Sequence, residues 1–260
     1  MNTNPIGFFD SGIGGISIWK KVTTLLPNEN TIYLADSKNA PYGQKSKQQI
    51  IDLSCKNTEL LLQKGAKIIV VACNTATTNA IGYLRKNYNV PFIGIEPAIK
   101  PAALQSKTKK IGILATKGTL NSSLFSEKVL QYSDIEIVEQ IGEGLVPLIE
   151  KGNINSVELT NLLHNYLDNL LQKNIDYLVL GCSHYPFLWQ KIENYIGKKI
   201  KIIDSGEAVA RQTKAILLKY HLLNLTNKKS THKLYSNTNT SVLKTFVKNC
   251  KNVVVDKLEF

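Results

Sequence analysis

Two cysteines of this chain lie where thiols could move protons. Cys73 and Cys182 each end an apolar run, IIVVAC and YLVLGC, and side chains that can form hydrogen bonds follow each of them directly. These followers are Asn74 and Thr75 after the first cysteine, and Ser183 and His184 after the second. A thiol near a helix N-terminus or a histidine becomes a thiolate readily and then acts as a base or nucleophile. Two such thiols approaching one cleft from opposite sides could share a proton-transfer reaction.

Other interpretations of the cysteines stay open from the residues alone. A single buried cysteine is usually a small packing residue, and Cys73, Cys182 and His184 are residue types that ligate zinc. Zinc sites usually use closely spaced cysteine pairs, and the sequence has no C-x-x-C, so zinc is disfavoured. The remaining cysteines, Cys55 and Cys250, have no polar motif around them and are predicted to be packing residues.

A glycine-rich turn, DSGIGG, occupies residues 10–15. It is not the dinucleotide fingerprint G-x-G-x-x-G, because Ser17 stands where the last glycine would be, and it lacks the Gly-Lys-Ser/Thr ending of a P-loop. The turn offers the carboxylate of Asp10 and the hydroxyl of Ser11 at the start of a helix. Those groups suit an ammonium and an anion, and a plain strand-to-helix turn is the alternative.

The elements that would position these motifs follow a βαβ pattern. Short apolar runs alternate with segments of helical period, which is typical of a parallel sheet covered by helices. The predicted strands are 6–10, 31–36, 67–74, 91–96, 110–116, 135–140, 177–183 and 201–205. The predicted helices are 16–26, 47–64, 76–88, 156–173 and 206–222. In such sheets ligands bind beyond the carboxyl ends of the strands, where DSGIGG, PYGQK (41–45), CNTAT (73–77) and GCSHYP (181–186) are expected.

The chain also repeats itself at the scale of a domain. The matching segments are LLQKGAKIIVVACNT (61–75) with LLQKNIDYLVLGCSH (170–184), and IGFFDS (6–11) with IGILAT (111–116). Ser11 and Thr116 therefore occupy equivalent strand ends. The matching segments are separated by the length of a whole domain, which is too long for the unit of a solenoid. We therefore predict two similar doubly wound α/β domains with mainly parallel sheets. A pseudo-twofold axis would relate them, with the active site in the cleft between them.

The predicted domains are 1–97 plus 208–260, and 98–207. The chain is predicted to pass from the first domain to the second near Pro97 and Pro101, because prolines disfavour continued regular structure. The stretch after about residue 207 is expected to return to the first domain. There, a polar segment (227–241) and the apolar residues after it are predicted to add a helix and an edge strand.

Composition excludes several classes of protein. With 260 residues, 43% hydrophobic and 20% charged, the chain is globular rather than disordered, collagen-like or a disulfide scaffold. The net charge is +12, yet only Arg85 and Arg211 are arginines and the lysines are scattered, so no specific nucleic-acid contact is expected. The longest apolar run, 68–73, is too short to span a membrane, and no leader pattern is present. We expect a soluble cytoplasmic protein.

In their order and spacing the motifs resemble those of the glutamate racemase family, cofactor-independent enzymes of bacterial cell-wall synthesis. The resemblance covers nearly the whole chain, and Ser183 departs from the usual Gly-Cys-Thr-His-Tyr-Pro by one methyl group. The motifs that carry it are IGFFDSGIGG (6–15), PYG (41–43), ACNTAT (72–77), ATKGT (115–119) and GCSHYP (181–186).

The resemblance implies an isomerase that interconverts L- and D-glutamate by two-base proton transfer, without cofactor or metal. It also implies that the D-glutamate supplies peptidoglycan synthesis, and hence cell-wall biogenesis and cell shape. It implies Cys73 on the D-glutamate face, Cys182 on the L-glutamate face, Asp10 and His184 as their respective polar neighbours, and Glu150 near the site. The substrate-binding residues it implies are Asp10, Ser11, Pro41, Tyr42, Gly43, Asn74, Thr75, Thr116, Thr119, Ser183 and His184. It further implies a homodimer.

Three other functions stay open. An aspartate racemase has the same fold and mechanism, although its branch tends to carry an acidic residue where His184 stands here. A non-catalytic two-domain protein that binds a small anion would keep the cleft without needing both thiols. A nucleic-acid or regulatory role would use the basic surface.

Overall fold

The computed structural model describes residues 2–226 and 229–260, whose strands form two parallel sheets. The strands are β1 (Ile6–Asp10), β2 (Thr31–Ala35), β3 (Ile68–Val71), β4 (Phe92–Gly94), β5 (Lys110–Ala115), β6 (Glu136–Ile141), β7 (Tyr177–Gly181), β8 (Lys201–Ile203), β9 (His232–Ser236) and β10 (Val253–Lys257). The six-stranded sheet has the order β10-β9-β2-β1-β3-β4, and the four-stranded sheet has the order β6-β5-β7-β8. The predicted α/β class with parallel sheets is confirmed.

Helices connect the strands, as parallel pairing requires. They are α1 (Ile16–Leu25), α2 (Lys47–Gln63), α3 (Asn74–Asn87), α4 (Ile99–Gln105), α5 (Lys117–Leu120), α6 (Ser123–Leu130), α7 (Leu145–Glu150), α8 (Val157–Leu171), α9 (Trp189–Ile196), α10 (Gly206–Lys219) and α11 (Ser241–Val247). Short 3₁₀ turns occupy Ser37–Asn39, Tyr42–Gln44 and Tyr185–Leu188. No helix of the described residues is long and apolar enough to cross a membrane.

The sheet strands are apolar on both faces because helices cover both sides. Every residue of β1, β3 and β7 is buried. Helix α8 has the complementary pattern, with one buried leucine stripe and exposed polar residues elsewhere. One continuous apolar cluster includes Phe8 of β1 and Leu180 of β7, so the two halves of the molecule share a packed core.

The strand order repeats between the sheets, as the sequence repeat predicts. The order β2-β1-β3-β4 recurs as β6-β5-β7-β8, which makes β1 equivalent to β5 and β3 equivalent to β7. Cys73 follows β3 and Cys182 follows β7, so the two thiols stand at equivalent strand ends. The domain boundaries themselves, at residues 97/98 and 207/208, stay a prediction.

Two local predictions need correction. The interruption of regular structure expected around Pro97 and Pro101 covers only residues 95–98, because α4 begins at Ile99 and contains Pro101. Proline is tolerated there because the first turn of a helix does not use its N–H groups for internal hydrogen bonds.

The tail contains two strands and a helix rather than one strand and a helix. Strand β9 comes from the segment that was expected to be merely polar, and it lies between β2 and β10. Its inward residues are His232, Leu234 and Ser236, and a histidine and a serine disguise the alternation of a half-buried strand. Residues 227 and 228 of that polar segment lie outside the described residues.

Candidate active site

Cys73 and Cys182 line one small cavity between the carboxyl ends of the two sheets. Both side chains are almost fully buried, at 4% and 5% exposure. In this conformation the cavity holds little more than a water molecule. A larger molecule therefore does not fit in this conformation.

The Cys73 thiol caps α3 and lies beside Ser11. The backbone N–H of Ala76 donates to Sγ at 3.4 Å, and Sγ lies 3.7 Å from the Ser11 hydroxyl to which it donates. Burial raises the pKa of the Cys73 thiol well above its usual value, and the negative charge of Asp10 raises it further. The hydrogen bonds with Ala76 and Ser11 lower this pKa but do not cancel the increase. Cys73 is therefore a protonated thiol in the resting protein.

The Cys182 thiol lies against a histidine that carries a proton. Its Sγ is 3.8 Å from Nδ1 of His184, whose Nε2 is 2.6 Å from Oε1 of Glu150. Burial by itself lowers the pKa of His184, but the hydrogen bonds with Cys182 and Glu150 outweigh it and raise that pKa well above its usual value. An imidazolium here stabilises negative charge on the Cys182 sulfur.

Asp10 joins the glycine turn to the second cysteine motif. One carboxylate oxygen accepts the N–H of Gly15 at 2.9 Å, and the other accepts the Ser183 hydroxyl at 3.2 Å from across the cavity. Burial raises the pKa of Asp10, while the charge of His184 and the Gly15 N–H act in the opposite direction. Asp10 is thus shared between the two halves.

Glu150 joins the same two halves from the other side of His184. Its Oε1 also accepts the N–H of Ile13 at 2.7 Å, and its Oε2 accepts the Ser37 hydroxyl at 2.9 Å. The approach is so close that a Cβ on Gly12 would overlap the carboxylate. The glycine turn is therefore shaped by an interaction across the cleft, and not only by the strand-to-helix turn.

Three threonine hydroxyls form a cluster, and two of these threonines, Thr75 and Thr116, line the cavity. Thr75 lies 2.8 Å from Thr116 and 3.3 Å from Thr119, and the last two are 3.1 Å apart. Gly43 packs against Thr116 so closely that a Cβ would clash. Hydroxyls and the N–H groups at the start of α3 are the kind of donors that bind a carboxylate when arginine is absent.

The side chain of Asn74 finds no hydrogen-bond partner among residues 2–226 and 229–260. Both of its amide atoms are buried, and the residue lines the cavity. Buried polar groups are almost always paired in folded proteins, and an orphaned amide facing a cavity calls for a polar ligand.

The structure brings the sequence-predicted residues together. Those lining the cavity are Ser11, Pro41, Tyr42, Gly43, Cys73, Asn74, Thr75, Thr116, Cys182, Ser183 and His184, and Val146 joins them. Asp10, Glu150 and Thr119 make hydrogen bonds with residues of that group. Their roles stay a prediction. Within residues 2–226 and 229–260, no three His, Cys, Asp or Glu side chains are arranged to hold a metal ion.

Sequence reasoning missed Ser17 and Ser37. The Ser17 hydroxyl donates to the main-chain oxygen of Ser183 at 2.8 Å, and Ser37 is the partner of Glu150 described above. Neither lies in a motif. The one available signal for Ser37 was its place just after the end of β2, at the edge of the sheet where ligands bind.

Three comparisons place the chain among racemases. A sequence model of the Asp/Glu/Hydantoin racemase family matches residues 15–213. The glutamate racemase of Herpetosiphon aurantiacus is 44% identical over 225 residues, covering 86% of this chain and 89% of that protein. The fold is similar to crystal structures of two glutamate racemases. The Francisella tularensis structure, in complex with D-glutamate, has a TM-score of 0.85 at 28% identity, covering 100% of this chain and 98% of that chain. The Escherichia coli structure, in complex with L-glutamate and activator UDP-MurNAc-Ala, has a TM-score of 0.85 at 28% identity, covering 98% of each.

Proposed function

This chain belongs to the Asp/Glu/Hydantoin racemase family and is a racemase, and we propose that it interconverts L- and D-glutamate with Cys73 and Cys182 as its two bases. The observation that carries the proposal is the pair of thiols at equivalent strand ends, lining one closed cavity. The relatives with solved glutamate complexes support glutamate as the substrate.

The proposed reaction starts with one thiolate and one thiol. With L-glutamate, the Cys182 thiolate takes the Cα proton and becomes a thiol, leaving an electron pair at Cα. The Cys73 thiol then gives its proton to the opposite face of Cα, which yields D-glutamate and a Cys73 thiolate. The reverse reaction uses the same groups with their roles exchanged, so the site transfers protons without any net gain or loss.

The neighbours of the thiols suit these roles. Burial and the Asp10 charge raise the pKa of Cys73, so this thiol keeps the proton that conversion of L-glutamate needs, and the protonated His184 lies 3.8 Å from the Cys182 sulfur. The developing negative charge on the substrate would be stabilised by fixed donors, namely the Asn74 amide and the threonine hydroxyls, in a cavity that excludes water. Because side chains supply both transfers, we expect no added cofactor or metal.

The first experiment is a chiral assay of purified protein with L-glutamate and, separately, with D-glutamate. Both should yield the other enantiomer, before and after dialysis against a chelator and in the presence of a pyridoxal trap. Loss of activity that zinc restores would overturn the two-thiol proposal. Binding of glutamate without conversion would instead indicate a binding protein.

Substrate choice separates this proposal from aspartate racemase. A site whose donors pair with the distal carboxylate of glutamate leaves them unpaired when the substrate is one methylene shorter. We therefore expect kcat/KM for aspartate to be lower by about two orders of magnitude. Comparable values for the two amino acids would contradict glutamate specificity.

We further propose that the D-glutamate supplies peptidoglycan synthesis in the cytoplasm and that the protein is a homodimer. A strain depleted of the protein should need D-glutamate for growth. Light scattering should give twice the mass of the 28.9 kDa chain.

A further inference from the structure

One wall of the cavity is formed by a loop whose anchoring contacts lie outside the cavity. The Tyr42 loop, residues 36–46 between β2 and α2, contributes Pro41, Tyr42 and Gly43 to the lining. The hydroxyl of the buried Tyr42 donates to Oδ2 of Asp36 at 2.5 Å. Gly43 meets Thr116 of the opposite half. Asp36 is therefore one of the groups that position this wall, together with Asn57, whose amide donates to the Tyr42 hydroxyl at 3.2 Å.

Asp36 is a buried carboxylate held by neutral donors. Besides Tyr42, it accepts the side-chain amide of Asn39 at 2.8 Å and that of Asn237 at 2.5 Å, both on Oδ1. Asn39 belongs to the loop itself. Asn237 is the donor that ties Asp36 to another part of the chain.

Asn237 follows β9 in the tail, outside the region that matches the family model. It is 3% exposed, and its Oδ1 accepts the N–H of Lys38 at 2.9 Å. Its amide also reaches the main-chain oxygen of Phe260 at 3.4 Å. One side chain therefore fastens two points of the Tyr42 loop to the tail.

We infer that Asn237 is a positioning residue for the racemisation site, because through Asp36 it holds Tyr42 and Gly43 against the Thr116 wall. Its role is to keep the Tyr42 loop in the position from which it contacts bound substrate. When the fraction of molecules with the loop in that position falls, the apparent dissociation constant rises in proportion, while turnover of bound substrate changes little. The inference rests on the proposed glutamate racemisation for its kinetic readout.

The kinetic test is Asn237→Ala. We expect KM for both enantiomers to rise about tenfold with kcat within about twofold of wild type, the signature of lost binding rather than lost chemistry. The matched control is Val247→Ala, a buried position of the same tail without a hydrogen bond to Asp36. It should lower Tm while leaving KM unchanged.

An exchange variant tests whether the pair with Asp36 is responsible. Asn237→Asp alone places two carboxylates together and should raise KM further than Asn237→Ala. The double variant Asp36→Asn with Asn237→Asp restores a carboxylate–amide pair and should recover part of the loss. A wild-type KM in Asn237→Ala, or a double variant no better than either single one, would overturn the inference.

A second readout does not require racemase activity. In a Cys55→Ser, Cys250→Ser background, the remaining thiols are Cys73 and Cys182, and iodoacetamide reaches them only when the cavity opens. Asn237→Ala should be alkylated several-fold faster than the background protein, and Val247→Ala at the background rate. Equal rates for Asn237→Ala and the background overturn the inference, whereas an inactive wild type would overturn only the proposed function. If Asn237→Ala fails to fold, Asn237→Ser is measured in the same way with the same expectations.

Discussion

Individual side chains make the two thiols chemically unequal, although the fold places them equivalently. Cys73 faces the negative charge of Asp10 and is buried, so it holds its proton. Cys182 faces His184, which Glu150 helps to keep protonated. The protonated Cys73 is therefore the acid that the proposed conversion of L-glutamate requires, and each turnover to D-glutamate would leave it as a thiolate. Because the enantiomers have equal free energy, kcat/KM must be the same in both directions at any pH.

Asp10→Asn should shift the alkaline limb of kcat/KM to lower pH. The Asp10 charge is the largest cause, after burial, of the raised pKa of Cys73. Without it, the thiol loses at lower pH the proton that it must donate, so activity falls earlier as pH rises. The measurement is a pH–rate profile of the variant beside wild type and Asp52→Asn, an exposed control. An unchanged alkaline limb in Asp10→Asn would contradict this account of Cys73.

Glu150→Gln should lower the pKa of His184. The carboxylate hydrogen-bonds Nε2 and supplies a negative charge beside the imidazolium, and the amide keeps the shape but not the charge. An NMR titration of the His184 ring should show its midpoint moving toward the usual value, with kcat/KM reduced about tenfold. Ser37→Ala removes one hydrogen bond from Glu150 but keeps its charge, and should leave the His184 midpoint close to its wild-type value. A His184 midpoint that stays in place would show that Cys182 alone maintains its protonation.

The sequence predicted the residues that lie in motifs, and among those that act through contacts alone it pointed only to Glu150, through the family resemblance. Cys73, Cys182 and His184 stand out because reactive residue types follow apolar runs. Asp36, Ser37 and Asn237 are ordinary surface-type residues in the sequence, and only folding reveals that Asp36 and Asn237 are buried and Ser37 half-buried beside the site. Such residues have no local signature, because their partners lie far away along the chain.

The secondary-structure elements bring the chemistry together through the ends of parallel strands. Ser11 lies in the turn after β1, and Cys73 and Cys182 lie just after β3 and β7. The N-terminus of α3 points its free N–H groups at the same cavity. Apolar runs predict these strands well because both faces are covered. Strand β9 was missed because two of its three inward residues are polar. His232 and Ser236 are buried there with hydrogen-bond partners, which no pattern of apolar residues reveals.

Lys67→Met tests an ion pair at the amino ends of the strands of the six-stranded sheet, opposite the cavity. Lys67 precedes β3 and forms an ion pair with Glu29 at 2.6 Å, with both side chains 2% exposed. Removing one partner leaves an uncompensated buried charge, so the free energy of unfolding should fall by about 3–5 kcal/mol. The double variant Lys67→Met with Glu29→Leu should regain much of that loss, as measured by urea unfolding. A single variant with wild-type stability would contradict a buried, paired Glu29.

The two halves of the molecule enclose the site, and several hydrogen bonds between them stabilise this closed conformation. Asp10 with Ser183, Thr75 with Thr116, and Glu150 with Ser37 all join the two halves. A glutamate is larger than the space inside, so binding requires these contacts to open and reform around the substrate. The duplicated fold and the cleft could be predicted from the internal repeat. The closure could not, because it depends on pairs of ordinary polar residues in different halves of the chain.

Racemisation in deuterated water shows whether two thiols act on opposite faces of Cα. The thiol that donates is not the one that abstracts, and it has exchanged with solvent. Each direction should therefore place one deuterium at Cα of the product while the remaining substrate stays protiated early in the reaction. Cys73→Ser and Cys182→Ser should each abolish racemisation, because a serine hydroxyl is a far weaker acid and base. The Cys55→Ser control should keep wild-type activity. Product that retains protium, or substantial racemisation by Cys182→Ser, would mean that a single base serves both faces and would contradict the account.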